Sequence, residues 1–211
     1  MINDKYGLLE GLDNTCNYRV LLALALEATR GSAHPVIELG PSPGSTTHLH
    51  AYCEGEGRSL VTVEEDISRI GAYVPLSTAR HEVRWVSWDA FPVEAGLWSV
   101  ALINHAPGER RVRDIERLMD RCEVVVVHDT EPAADYGYKF SAVLPKFRSR
   151  VDVRSDGAWS SAVSMTRDLT RWRGFRAERY VVSHAGDDAR PDAAGEAVER
   201  AIAWAENQFD E

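Results

Sequence analysis

A doubly wound α/β fold, with a mostly parallel seven-stranded sheet closed by an antiparallel hairpin, is predicted by three observations. Apolar strand-like runs alternate with helix-like segments five times along residues 35–147. Val124-Val125-Val126-Val127 is continuously β-branched, as a central strand buried on both faces requires. Ser155-Asp156-Gly157 separates two further strand-like runs, 150–155 and 160–165, and Asp-Gly between strands favours a hairpin. The 211 residues suffice for one domain with a sizeable core. A helical cover is expected over 1–33, an α/β core over 34–165 and an extension over 166–211, with extra helices at both ends.

Each element has its own signal. Leu21, Leu24, Ala25 and Ala28 recur at helical spacing behind Asp13-Asn14-Thr15 as candidate caps, with Gly31 as the stop. The first strand is expected over 35–39 and feeds a glycine loop and then a helix over 45–52. Gly55-Glu56-Gly57 reads as a turn, and 59–63 as a second strand ending in Glu64-Glu65-Asp66. Ile67, Ile70, Tyr73 and Val74 mark the helix behind it. Residues 83–88 alternate as a third strand ending at Asp89, and 98–103 form a fourth with Asn104-His105 at its end. A helix over 110–121 leads into the valine run, which ends in His128-Asp129-Thr130-Glu131. A further helix is expected over 136–147. Beyond the hairpin, Tyr180-Val181-Val182 suits a short strand. Residues 191–206 suit an amphipathic helix, for docking on the domain or for a dimer contact.

Composition narrows the function. Acidic residues outnumber basic ones, 33 to 24, for a net charge of −9. That balance disfavours sequence-independent nucleic-acid binding, which needs a basic footprint. Arg110, Arg111 and Arg113 form a local basic cluster. It reads either as a solvated helix start or, through Arg110 or Arg111, as a contact to an anionic substrate group. Cys16, Cys53 and Cys122 sit in apolar contexts, as buried free thiols of a cytoplasmic protein would. No signal-peptide pattern and no long apolar run argue for export or a membrane span.

The loop after the first strand carries the most information. A dinucleotide loop needs Gly-x-Gly-x-x-Gly so that backbone can crowd a pyrophosphate. Placed on Gly40, that pattern requires glycine where Ser42 and Ser45 stand. A Gly-Lys-Ser/Thr phosphate grip is absent too. Residues Glu38-Leu39-Gly40-Pro41-Ser42-Pro43-Gly44 instead resemble the acidic-x-Gly-x-Gly-x-Gly motif of the class I S-adenosylmethionine-dependent methyltransferases. Glu38, Gly40 and Gly44 match, and Ser42 replaces the middle glycine. In that family the loop wraps the methionine part of the cofactor, which bears no phosphate, so a small serine is tolerable. Pro41 and Pro43 stiffen the loop and lower the entropy cost of holding it shaped. The resemblance spans residues 14–165 and implies a class I methyltransferase-like fold, with cofactor contacts from Glu38, Gly40, Ser42, Gly44 and Ser45. Glu64, about 24 residues after Gly40, suits the ribose diol. Asp89 resembles the family residue that accepts from the adenine amino group, with Trp88 and Phe91 beside it.

Methyl transfer is an in-line displacement, so the protein must align the acceptor and take a proton from a hydroxyl or ammonium. In this fold the fourth and fifth strands end beside the methyl group, here at Asn104-His105 and His128-Asp129-Thr130. His105 or His128 is the candidate base, with Asp129 fixing a tautomer or orienting substrate and Asn104 bordering the cofactor. Segment 98–131 also resembles catechol-type O-methyltransferases, which hold a divalent cation at these strand ends. Asn104 stands in place of an acid of that subgroup, which weakens a hard-cation site. A softer metal would use His128, Asp129 and the Asn104 carbonyl oxygen. Tyrosines of 135–139 suit a wall of the acceptor pocket.

The expected function is methyl transfer from S-adenosylmethionine to a small molecule. Oxygen is preferred over nitrogen, because the Asn/Asp-Pro-Pro-Tyr motif for planar amines is missing. No nucleic-acid or membrane partner is expected, and a homodimer is left open. Two alternatives stand beside this reading. A non-catalytic or repurposed cofactor-binding protein would fit the Ser42 and Asn104 departures. A nicotinamide oxidoreductase keeps Glu64 but is poorly served by the loop.

Overall fold

The computed structural model describes residues 4–155 and 157–184. In chain order they form α1 (Tyr18–Ala28), β1 (Val36–Leu39), α2 (Thr46–Glu56), β2 (Leu60–Glu64), α3 (Ile67–Ile70), β3 (His81–Trp85) and β4 (Trp98–Ile103). Then follow α4 (Arg111–Leu118), β5 (Cys122–His128), α5 (Pro132–Tyr138), β6 (Ser149–Ser155), β7 (Ala158–Ser164), β8 (Arg176–Ala177) and β9 (Tyr180–His184). The strand order is β3-β2-β1-β4-β5-β7-β6-β9-β8. β1 to β5 pair in parallel, and β7, β6, β9 and β8 antiparallel. The expected seven strands are therefore present, the short strand expected at Tyr180-Val181-Val182 is β9, and β8 is added beside it. The expected helix over 191–206 lies outside the described residues.

Side-chain alternation sorts the sheet into two buried layers. Val36, Leu60, Val100, Leu102, Val124 and Val126 pack with α1 and α2. Ile37, Leu39, Val63, Ala101, Ile103, Val125 and Val127 pack on the other face with α4, Trp88 and the 140–147 segment. A strand period of two produces this division, and it makes the sheet doubly wound. Helix α1 is tied down by its buried N-cap residue Asn17, whose Nδ2 donates to the Ala158 carbonyl at 2.9 Å and whose Oδ1 accepts from Ser160 Oγ at 2.5 Å. That anchor lays the α1 N-terminus over the carboxyl end of β5 and the amino end of β7.

Four boundaries differ from the expected ones. The turn at 55–57 is the last turn of α2, which ends at Gly57 in the left-handed region (φ 68°). A Cβ on Gly55 would lie 2.4 Å from the Tyr6 hydroxyl, so glycine here makes room for that ring. β3 stops at Trp85, leaving Asp89 four residues beyond the strand. The expected 136–147 helix begins earlier, at Pro132, and breaks at Lys139 (φ 61°) into two short 3₁₀ turns. Asp13 does not cap α1; its Oδ1 accepts from the backbone and hydroxyl of Thr15 instead.

β1 lies between β2 and β4, so successive connections leave it in opposite directions. Such a reversal opens a crevice at the carboxyl edge of a parallel sheet. The loop leaving β1 meets the end of β4 at Gly40 (φ 90°), where a Cβ would lie 2.4 Å from the backbone N and Cα of His105. Gly40→Ala should therefore lower stability by roughly 3 kcal/mol or more, combining left-handed strain with overpacking against backbone. Gly57→Ala, which meets nothing within 4 Å, should cost only the strain, about 1–2 kcal/mol. Urea unfolding of the two variants checks that order.

Candidate functional site

The site is organised around a carboxylate with no access to water. Glu38 is fully buried in β1. Its Oε1 accepts from Ser45 Oγ at 2.5 Å and Thr46 Oγ1 at 3.2 Å, and its Oε2 from Thr62 Oγ1 at 2.9 Å. Burial pushes its pKa up to about 7, against the opposing pull of these hydroxyls. Thr62 spends its proton on Glu38, so it accepts from His81 Nε2 at 2.9 Å. His81 Nδ1 is then the acceptor for His50 Nδ1, 3.1 Å away. On the loop side, Ser42 Oγ reaches Ser45 Oγ at 2.8 Å and the Tyr18 hydroxyl reaches Ser42 at 3.0 Å. The donors on both sides point toward Glu38 and lock the 40–46 loop against β1, β2 and α1.

Glu38 and Ser45 thus shape the loop from behind. Ser42 and Gly44 line a cleft of about 450 Å³ together with Tyr18, Asn104, Arg111 and His128, among others. Ser42, at the place of the absent middle glycine, spends its hydroxyl on Tyr18 and Ser45. Gly44 leaves room for the same tyrosine: a Cβ there would sit 3.0 Å from its hydroxyl.

Glu64 ends β2, buried on the same face. Its Oε1 accepts from the backbone N–H groups of Glu65 and Asp66 at 2.9 and 3.1 Å. Its Oε2 has no hydrogen-bond partner; Arg69 Nε stands 3.5 Å away. A buried carboxylate oxygen left without a donor is costly unless a ligand completes it. A ribose diol supplies such donors.

At the far end of the cleft, His128 closes β5. Its Nδ1 is 3.1 Å from Asn104 Oδ1 and 3.3 Å from Asp129 Oδ1, both acceptors, so the proton belongs on Nδ1. Nε2 keeps its lone pair and is itself buried, with no hydrogen-bond partner. Burial lowers the His128 pKa and Arg111 reinforces that, while Asp129 and a hydrogen bond to the Asn14 backbone oppose it. Asp129 takes a left-handed conformation (φ 56°), unusual for a non-glycine residue. Its Oδ2 accepts from Arg111 Nη1 at 2.9 Å. Arg111 also donates to the His105 carbonyl at 2.8 Å and the His128 carbonyl at 2.9 Å, joining the ends of β4 and β5.

Two expected site residues are placed elsewhere. His105 is wholly buried on the opposite face, stacked on Trp88 (ring centroids 4.5 Å) with Nε2 3.0 Å from buried Asp114. It is packed in the α4 layer and cannot reach a substrate in the cleft. Asp89 is exposed, held by Arg110 at 2.5 Å and Arg113 at 3.4 Å, and its carboxyl is held below the usual range chiefly by the Arg110 hydrogen bond. Trp88 and Phe91 belong to the core. Tyr138 flanks the site, with its ring 5.3 Å from the Arg111 guanidinium, whereas Tyr136 points to solvent. Among the described residues no three His, Cys, Asp or Glu side chains come together to hold a metal. Asn104 Oδ1 and Asp129 are engaged by His128 and Arg111, an arrangement that does not suit a cation.

Sequence reasoning did not single out Tyr18 or Arg69 as lining residues. Tyr18 had a signal: it is a hydroxyl inside an otherwise apolar helical face, and a buried hydroxyl needs a partner. Arg69 had none beyond its nearness to Glu64.

No protein-family model and no curated protein matches the sequence. Solved structures match the fold. An inferred O-methyltransferase from Klebsiella pneumoniae superposes with TM-score 0.54 at 13% identity, over 76% of this chain and 85% of that one. An O-methyltransferase from Bacillus cereus in complex with SAH (S-adenosylhomocysteine) gives 0.51 at 13%, over 72% and 82%. The N-terminal domain of human METTL16, also with SAH, gives 0.50 at 12%, over 72% and 70%. The chain has the class I methyltransferase fold.

The Glu38 network makes a testable claim about pH. The native Glu38 pKa is raised, so its contribution to stability is full below the ordinary value of 4.5 and is lost as pH rises through about 7. His81 runs the other way: burial and His50 lower it to about 4, so its contribution is full above 6.5 and is lost as pH falls through about 4. The two slopes oppose each other between pH 4.5 and 6.5. Glu38→Gln removes one of them. Its stability deficit against the natural protein should widen on acidification from pH 7 to 4.5, by on the order of 1–3 kcal/mol in urea unfolding.

Proposed function

We propose that the chain is an S-adenosylmethionine-dependent methyltransferase that methylates an oxygen of a small molecule, with His128 as the base. The observation that carries the proposal is the single cleft joining the 42–44 loop to Asn104, His128 and Asp129, on the sheet face that also holds the unsatisfied Glu64 oxygen. The donor-hungry Glu64 fits the cofactor. The loop's backbone and Ser42 would hold its methionine part, and Glu64 its ribose. When bound, S-adenosylmethionine supplies an electrophilic methyl group: the acceptor oxygen forms the new O–C bond as the S–C bond breaks, its electron pair remaining on sulfur. His128 holds the reactive tautomer. Asn104 and Asp129 keep the proton on Nδ1, leaving the Nε2 lone pair to take the acceptor's hydroxyl proton. Asp129 then stabilises the imidazolium that results. The overall charge of −9 favours a small acceptor over a polynucleotide. The three free cysteines are buried, which supports a reducing, cytoplasmic setting; no described helix is long and apolar enough to cross a membrane.

Calorimetric titration separates the alternatives. S-adenosylmethionine and S-adenosylhomocysteine should bind and NAD should not. Glu64→Gln should weaken S-adenosylhomocysteine roughly tenfold or more, the value of a hydrogen bond to a charged group. Binding of NAD alone would move the chain to the oxidoreductase reading, and binding of both sulfur compounds without any transfer would make it a cofactor-binding protein.

The base assignment is checked by rate. His128→Ala should keep cofactor affinity and lose about 10²–10⁴-fold in turnover of a hydroxyl acceptor, while His105→Ala should act through stability. Because burial lowers the His128 pKa, its neutral form persists below the ordinary ~6.5 of histidine. Turnover should hold through that pH and fall only in more acid solution. An inflection above pH 7 that vanishes in His128→Ala would refute this assignment.

A further inference from the structure

Resting on the methyltransferase reading, we infer that Arg111 selects the acceptor: a small acid whose carboxylate or phenolate oxygen sits against its guanidinium, in preference to an amine. The neighbouring Arg110 is spent outside the cleft, on Asp89 at 2.5 Å and Asp114 at 3.1 Å. Arg111 is 6% exposed and lines the cleft beside His128 and Asn104. Its Nε and Nη1 carry all its hydrogen bonds, to the His105 and His128 carbonyls and to Asp129. Nη2 carries none, yet it belongs to a rigid, permanently charged plane that these three acceptors fix in place. A fixed cation with an unused donor edge is built to take an oxyanion.

The charge inventory of the cleft points the same way. Among the described residues that line it, Asp129 is the one carboxylate, and both its oxygens are engaged, by Arg111 and by His128. An ammonium acceptor would find no free counter-charge. Arg69, the other charged residue of the lining, adds a second cation, set 3.5 Å from Glu64.

The test uses the full chain saturated with S-adenosylhomocysteine and titrated with benzoate, benzyl alcohol and benzylamine, probes of one size and three charges. Benzoate should bind more than tenfold tighter than either other probe, and the preference should persist from pH 6 to 9, because a guanidinium does not titrate there. Arg111→Gln should abolish the preference. Since that variant also loses a tie between two strands, Asp129→Asn is the second arm: removing the carboxylate that neutralises Arg111 should tighten benzoate severalfold. Equal or reversed affinities, undetectable benzoate binding, or an Asp129→Asn variant that leaves benzoate unchanged overturns the inference. Failure of S-adenosylhomocysteine itself to bind is a separate outcome, which overturns the methyltransferase reading and this inference with it.

Discussion

The buried carboxylate of Glu38 is the constraint on which the upper edge of the sheet depends. A carboxyl group removed from water in a low-dielectric interior is tolerated only when donors surround it. Here the donors come from two elements: Ser45 and Thr46 at the start of α2 and Thr62 in β2. Satisfying one side chain therefore fixes where α2 starts and how it sits on β2. Through Ser42 and Tyr18 it also fixes the height of α1 above the loop. The loop that presents backbone to the cleft is held by side chains beneath it. This explains why a serine can replace glycine at 42: its hydroxyl is consumed by Tyr18 and Ser45.

The same strand period that builds the core sorts the site. Val36 and Glu38, Leu102 and Asn104, Val126 and His128 are each two residues apart and Leu60 and Glu64 four apart, and the apolar member of each pair lies in the α1–α2 layer. Glu38, Glu64, Asn104 and His128 continue that layer to the carboxyl edge of the sheet. His105 continues the line of Ala101 and Ile103, which belongs to the opposite layer, and it packs on Trp88 there. The two histidines looked equivalent as strand-end residues. Counting in twos from the valine runs separates them, so this distinction is legible in the sequence.

Other features were not available to any periodic reading. The five parallel strands and the hairpin were legible because they are apolar runs bounded by polar or glycine turns. Asp89 was misplaced because Trp85 to Trp88 reads as alternation, whereas the chain leaves the sheet after Trp85 and turns at Ser87–Ala90. What happens past a strand end depends on contacts distant in sequence: Trp88 Nε1 donates to the Ala106 carbonyl, and Arg117 reaches the Trp88 carbonyl from α4. Arg110 and Arg111 are adjacent and chemically identical. Only the position of α4 against β4 and β5 sends one outward to Asp89 and the other inward.

The electrostatics of that inward arginine explain how a nearly buried histidine keeps a defined state. Burial alone would favour neutral His128 but would leave its proton free to occupy either nitrogen. Asn104 and Asp129 both present oxygen to Nδ1, which removes the choice. An unopposed Asp129 would go further and draw His128 toward the charged form, depriving it of its lone pair. Arg111 limits this by taking the other carboxylate oxygen and by placing its own positive charge nearby, an influence that lowers the histidine pKa. The left-handed backbone of Asp129 (φ 56°) is what lets one carboxylate face both groups. Local strain of this kind persists where surrounding contacts over-determine it. The three bonds of Arg111 supply that over-determination, so one side chain both holds Asp129 against His128 and adds to the burial that favours the neutral imidazole.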